Sequence, residues 1–241
     1  MTADIPPERN TWVAKESTVT ETVLAIGAHP DDEVLGPGGT LAKHADAGDD
    51  VHALIVTEGT TTQYDDDSFV EQKQVAARAC ANRLGLEDVR FGDLTDMKLD
   101  VTAHVEVNAV IEETVEAVEP DIIYTHSPHE VNNDHVAVYE STLVAARPGS
   151  GVGRIYAYET PSSTEWVGGD RRQFSPDRYV DISEYVDTKV DAFHEYDMEV
   201  REFPHPRSEQ AIRARATSRG VEAGFEAGEA FSLVIAREEE I

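Results

Sequence analysis

Cysteine is nearly missing from this chain: Cys80 stands alone among 241 residues. One thiol excludes an internal disulfide framework, and a chain of this length buries a core without crosslinks. Lysine is scarce too, with 5 Lys against 15 Arg, and the 20 basic residues face 48 acidic ones for a formal net charge of −28. Such a surface repels nucleic acid and anionic lipid, which removes both as partners. No run approaches the roughly 18 apolar residues of a membrane span. Residues 1–20 are polar and contain Pro6-Pro7; they lack the apolar centre of a signal peptide. They read as a lead-in before one domain over residues 21–241, in a soluble, cytoplasmic protein. The acidic residues are dispersed, as in proteins adapted to a salty (halophilic) cytoplasm where charge is screened. A lone carboxylate is therefore read as solvation; one inside a cluster with other chemistry is not.

Apolar periodicity organises the rest. Short β-rich runs at residues 22–28 (TVLAIGA), 51–57 (VHALIVT), 88–92 and 121–125 (DIIYT) alternate with helical patterns at 41–47, 69–84, 102–119 and 135–146. Strands follow at 154–159, 179–182 and 230–236, with helices at 184–203 and 208–223. Cys80 falls among alanines on the 69–84 pattern, where it reads as a small buried apolar side chain. This alternation predicts an α/β fold, a mostly parallel sheet covered on both faces. In such sheets ligands bind where loops leave the C-terminal ends of strands.

Two polar clusters fall there. The first, His29-Pro30-Asp31-Asp32-Glu33, ends the first strand; the second, residues 126–135, follows the fourth. Read alone, residues 29–33 also fit an acidic helix start. Placed on one rim with the second cluster, they read as part of a metal site. His29 and Asp32 are three residues apart, so one helical turn can aim both at one point. His135 suits the third position. Two imidazoles and a carboxylate suit zinc (Zn2+) with a fourth position open, the pattern of a catalytic site. Zinc brings bound water to a pKa of about 7, which makes a nucleophile at neutral pH. Asp31, beside the ligands, is placed to accept the water's proton. Asp134 is read as orienting a ligand, since zinc-bound histidines usually donate their other N–H to a carbonyl or carboxylate.

His29-Pro30-Asp31-Asp32-Glu33 after an apolar strand, with Asp134-His135 about a hundred residues later, resembles the PIG-L (LmbE-like) deacetylases. Weaker matches are Gly38-Gly39-Thr40, Thr57-Glu58-Gly59, Asp96 and the stretch from His205-Pro206-Arg207-Ser208 to Phe231. The resemblance implies a Rossmann-like three-layer sandwich and a zinc hydrolase that removes N-acetyl groups from N-acetylglucosamine units. It implies His29, Asp32 and His135 as metal ligands, Asp31 as general base and a small amino-sugar substrate. One position departs from the pattern. Many members read His-x-Asp-His where this chain has Asn132-Asn133-Asp134-His135. Asn132 can donate to an oxyanion but cannot shuttle a proton at neutral pH. His126, His129 and His205 are the alternative acids, the last as a residue that a second copy in a homo-oligomer could lend. Two other activities stay open at this point: metal and sugar binding without turnover, and amide hydrolysis on a thiol conjugate. Tyr156, Tyr158, Trp166, Arg171 and Arg172 lie in or beside a loop able to cover the site. The glycines of residues 36–40 lack the Gly-Lys-Ser/Thr of a phosphate loop.

Overall fold

The structure, a computed structural model, describes residues 20–60 and 68–237. Its strands are β1 (Thr22–Gly27), β2 (Asp50–Thr57), β3 (Asp88–Leu94), β4 (Ile122–His126), β5 (Arg154–Tyr158), β6 (Arg178–Asp181) and β7 (Gly228–Ala236). They form one sheet in the order β3-β2-β1-β4-β5-β7-β6. The first five run parallel, and β7 runs antiparallel to both β5 and β6. The helices are α1 (Asp32–Leu35), α2 (Gly38–Ala47), α3 (Ser68–Leu84), α4 (His104–Val118), α5 (Asn133–Ala145), α6 (Val186–Phe193) and α7 (Glu209–Ala223).

The central strands read as unbroken apolar runs because both faces are covered. Leu24, Ile26, Leu54 and Val56 point to one face and pack with Val107, Ile111 and Val138 of α4 and α5. Ala53 and Ile55 point to the other, against Cys80 and Leu84 of α3 and Phe193 of α6. Cys80 is fully buried in that layer, as its alanine-rich surroundings predict. Among the described residues no helix is long and apolar enough to cross a membrane.

The chain returns from β3 to β4 on the far side of β1, so the topological switch point lies between β1 and β4. Crevices at such points are where open α/β sheets bind ligands. The two polar clusters leave the C-terminal ends of these two strands. The expected helix over residues 184–203 is a correction: α6 stops at Phe193 and turns follow. Tertiary contacts outweigh helix propensity there, because Tyr196 and Glu199 send their side chains into the interior. The lead-in over residues 1–20 lies, apart from Thr20, outside the described residues, as does the end of the acidic tail.

Candidate metal centre

Three strand ends are stitched together beneath the site. The Ala28 carbonyl accepts from the Thr57 backbone N–H at 2.9 Å and from its hydroxyl at 2.8 Å. The Ala28 N–H donates to His126 Nε2 at 3.0 Å. Gly59, at φ +71°, passes so close to Pro30 that a Cβ there would lie 2.4 Å from the proline ring. Backbone sterics thus fix where His29 and Asp31 sit.

His29 Nδ1, the Asp32 carboxylate and His135 Nε2 converge. The separations are 3.2 Å between the imidazoles, 3.3 Å from His29 to Asp32 and 3.6 Å from His135 to Asp32. A tetrahedral site with metal–ligand bonds of about 2.0–2.1 Å has edges of about 3.3–3.4 Å, so the donor set and its spacing fit zinc. The outward nitrogens have carboxylate partners. His29 Nε2 donates to Asp134 Oδ2 at 3.2 Å and lies 3.4 Å from Asp96 Oδ1. Glu130 Oε2 faces His135 Nδ1 at 3.4 Å, and the Ser163 and Thr164 hydroxyls donate to the Glu130 carboxylate. These partners select the tautomers that turn a bare nitrogen of each ring toward the shared point.

The electrostatics favour a cation there. Burial opposes charge on His29, but the hydrogen bond to Asp134 and the charges of Asp32 and Asp96 lift its pKa to about 10. Burial pushes the Asp32 carboxyl up, yet His135 and His126 beside it hold it well below the usual carboxylate range. Asp31 is raised to about 7, chiefly by burial and against the pull of Arg207. Its backbone sits at φ +121°, a strained conformation for an L-residue. Arg207 Nη1 donates to Asp31 Oδ2 at 2.8 Å, and the Asp31 N–H donates to Glu33 Oε2 at 3.1 Å.

Asn132 has a structural role beside the one expected of it. It caps α5: its Oδ1 accepts from the Asp134 N–H at 2.9 Å, while its amide nitrogen lies 3.7 Å from Met97 Sδ. Asp134 orients His29 across the cleft rather than its neighbour His135, and its other oxygen accepts from the Leu99 N–H at 2.9 Å. Of the alternative acids, His126 is fully buried and stacked on His135, with ring centroids 3.9 Å apart. Its Nε2 accepts from Ala28, and burial and the neighbouring His135 drop its pKa to about 4. His129 lies half-buried on the loop after β4, lowered by burial and by Arg172. His205 accepts the Arg207 N–H at 3.1 Å.

Of the loop residues, Tyr158 is interior and donates to the Ile26 carbonyl at 2.8 Å, and Tyr156 stacks on Tyr124. Trp166 is exposed on the 3-10 turn Thr164–Trp166, just past the Ser163 that touches Glu130. In the glycine-rich turn the Gly39 and Thr40 N–H groups donate to Glu229 at 2.9 and 2.7 Å. Glu130, Glu199 and the pairing role of Arg207 were not read from the sequence. Glu130 lay inside the second cluster, the one signal that pointed to it.

Residues 24–146 match the PIG-L family, described as GlcNAc-PI de-N-acetylase, over slightly more than half of the chain. The chain belongs to the PIG-L family. Over 183 residues it is 28% identical to the uncharacterized deacetylase YaiS of Escherichia coli K12, covering 72% of this chain and 89% of the relative. It is 28% identical over 225 residues to the diacetylchitobiose deacetylase of Thermococcus kodakarensis, covering 88% of this chain and 82% of the relative. The N,N'-diacetylchitobiose deacetylase of Pyrococcus horikoshii, solved with its inhibitor MPG, has the same fold. Its TM-score is 0.72 at 20% identity, over 88% of this chain and 83% of that one. This PIG-L chain is an enzyme, a deacetylase that hydrolyses an amide.

Proposed function

We propose that this PIG-L enzyme is a zinc-dependent hydrolase that removes the N-acetyl group from an N-acetylglucosamine-type amino sugar or a small conjugate of one. One observation carries the reading: His29 Nδ1, Asp32 and His135 Nε2 converge at 3.2–3.6 Å at the switch point, with Asp31 beside them. The relative named diacetylchitobiose deacetylase supports the substrate class. His29, Asp32 and His135 would hold the ion. When bound, zinc supplies a Lewis acid and an acidified water.

The protein's own groups do the rest. Asp31 accepts a proton as water oxygen bonds to the acetyl carbon, and returns it to the nitrogen as the C–N bond breaks, leaving acetic acid and an amine, which exchange a proton to become acetate and an ammonium. Arg207 fixes the Asp31 carboxylate at 2.8 Å. Asp134 and Glu130 set the His29 and His135 rings. Asn132 contributes by capping α5, the helix that carries Asp134 and His135. That cap also favours a second reading, metal and sugar binding without turnover, since the histidine of many relatives has no counterpart here.

The test is acetate release from N-acetylglucosamine conjugates, thiol glycosides among them, with zinc measured on the same preparations. Wild type is expected to bind zinc and release acetate, and His135→Ala to lose both. Full zinc on His135→Ala sinks the ligand assignment; tight zinc and sugar binding without acetate on the whole panel selects the second reading. Glu130→Gln removes the carboxylate facing His135 and is expected to weaken zinc about 10- to 100-fold. Titration against a competing chelator measures this, and unchanged affinity would show that His135 is oriented without Glu130.

A further inference from the structure

We propose that Glu199 is a positioning residue for deacetylation, acting through Arg207 to set where the Asp31 carboxylate points. The inference rests on Asp31 as the proton acceptor. Asp31 is held in a strained backbone conformation at φ +121°, and such residues keep their geometry only when their surroundings over-determine it. One of its two side-chain supports is outside its own turn: Arg207 Nη1, 2.8 Å from Asp31 Oδ2.

That same nitrogen donates to Glu199 Oε2 at 2.7 Å. The other Glu199 oxygen pairs with Lys73 of α3, and Arg207 Nε donates to Ser162 Oγ at 2.9 Å. Charges therefore alternate along one line, Lys73, Glu199, Arg207, Asp31, joining α3, the turns after α6, the approach to α7 and the start of α1. Lys73, Glu199 and Asp31 are all buried. Arg201 Nη2 adds a weaker approach to Glu199 at 3.6 Å.

A clasp between α3 and the turns after α6 needs only Lys73 and Glu199. The shared Arg207 nitrogen does something more. With Glu199 taking part of its donor strength, Arg207 sits between two carboxylates and does not draw Asp31 into an exclusive pair. Glu199→Gln keeps the shape and removes the charge, so Arg207 shifts onto Asp31 and turns its carboxylate from the reacting water. Misplacement of a reacting group by about 1 Å can cost about 100-fold.

The experiment compares wild type, Glu199→Gln and the double variant Lys73→Met/Glu199→Gln, each as the zinc-loaded full chain. It reads kcat and KM for acetate release, zinc per chain and thermal midpoint. Glu199→Gln is expected to lower kcat roughly 10- to 100-fold, with KM and zinc at wild-type values and a lower midpoint, because Lys73 loses its partner. The double variant removes the stranded lysine charge and is expected to regain the midpoint while kcat stays low. A purely structural clasp gives the other result: kcat returns with the midpoint. That outcome, or an unchanged kcat in Glu199→Gln beside an active wild type, overturns the positioning role alone. A zinc-loaded wild type releasing no acetate overturns the deacetylase reading and this role with it.

Discussion

Asp31→Asn is expected to lower kcat for acetate release by about 10²- to 10⁴-fold, the usual contribution of a general base, with zinc per chain unchanged. The substitution suits the site. Asparagine tolerates left-handed backbone better than most residues, so the φ of +121° at this position is kept. Its Oδ1 can still accept from Arg207 Nη1, now 2.8 Å from Asp31 Oδ2. The ability to take a proton is lost together with the charge facing Arg207, which keeps Glu199 as its partner. Alanine would confound the result, because it would also remove the Arg207 contact that supports the strained backbone. The proposed ligands His29, Asp32 and His135 are untouched, so metal analysis separates lost chemistry from lost metal. A kcat within tenfold of wild type would remove Asp31 from the reaction and return attention to the water's other neighbours.

Much of this site was legible in the sequence because it is local. His29, Asp31 and Asp32 share one turn, and the strand before them is apolar enough to announce that turn as a strand end. His135 became legible through topology, since alternating strands and helices place residues 29–33 and 126–135 on one rim. The carboxylates were harder. In a chain of net charge −28 most acids solvate the surface; Glu130 at least falls inside the second polar cluster, but nothing in the local pattern distinguishes Glu199 or Glu229 from those. What marks them is a partner far along the chain: Ser163 and Thr164 for Glu130, Lys73 and Arg207 for Glu199, Lys189 for Glu229. The capping role of Asn132 was not read from its motif either: its position before α5 favours capping, and its side-chain oxygen accepts from the Asp134 N–H. The helix expected over residues 184–203 fails likewise, because Tyr196 donates to Glu33 Oε1 at 2.5 Å and pulls the chain inward.

Glu229→Ala is expected to destabilise the fold by about 3–5 kcal/mol, the range for removing one partner of a buried pair. Glu229 and Lys189 are both buried, with Lys189 Nζ 2.6 Å from Glu229 Oε1. The carboxylate also receives the Gly39 and Thr40 N–H groups at the start of α2, and the ammonium donates to the Leu35 and Gly36 carbonyls at 3.0 and 2.8 Å. One ion pair thus closes α1, α2, α6 and β7 around the turn that follows the metal motif. Alanine leaves a buried cation without its counter-charge and two N–H groups without acceptors. For a chain of this size the loss corresponds to roughly 6–20 °C in thermal midpoint. Salt separates this pair from the acidic surface, since screening acts on exposed charges and far less on buried ones. The deficit against wild type is therefore expected to persist from low to molar salt, even as both midpoints move. Lys189→Met/Glu229→Gln removes the stranded charge and gives one of the two N–H groups an acceptor again, so it should recover part of the loss. Scanning calorimetry on the three proteins at two salt concentrations decides it. A Glu229→Ala midpoint within 2 °C of wild type would mean that water reaches the pair and that the turn is held by other contacts.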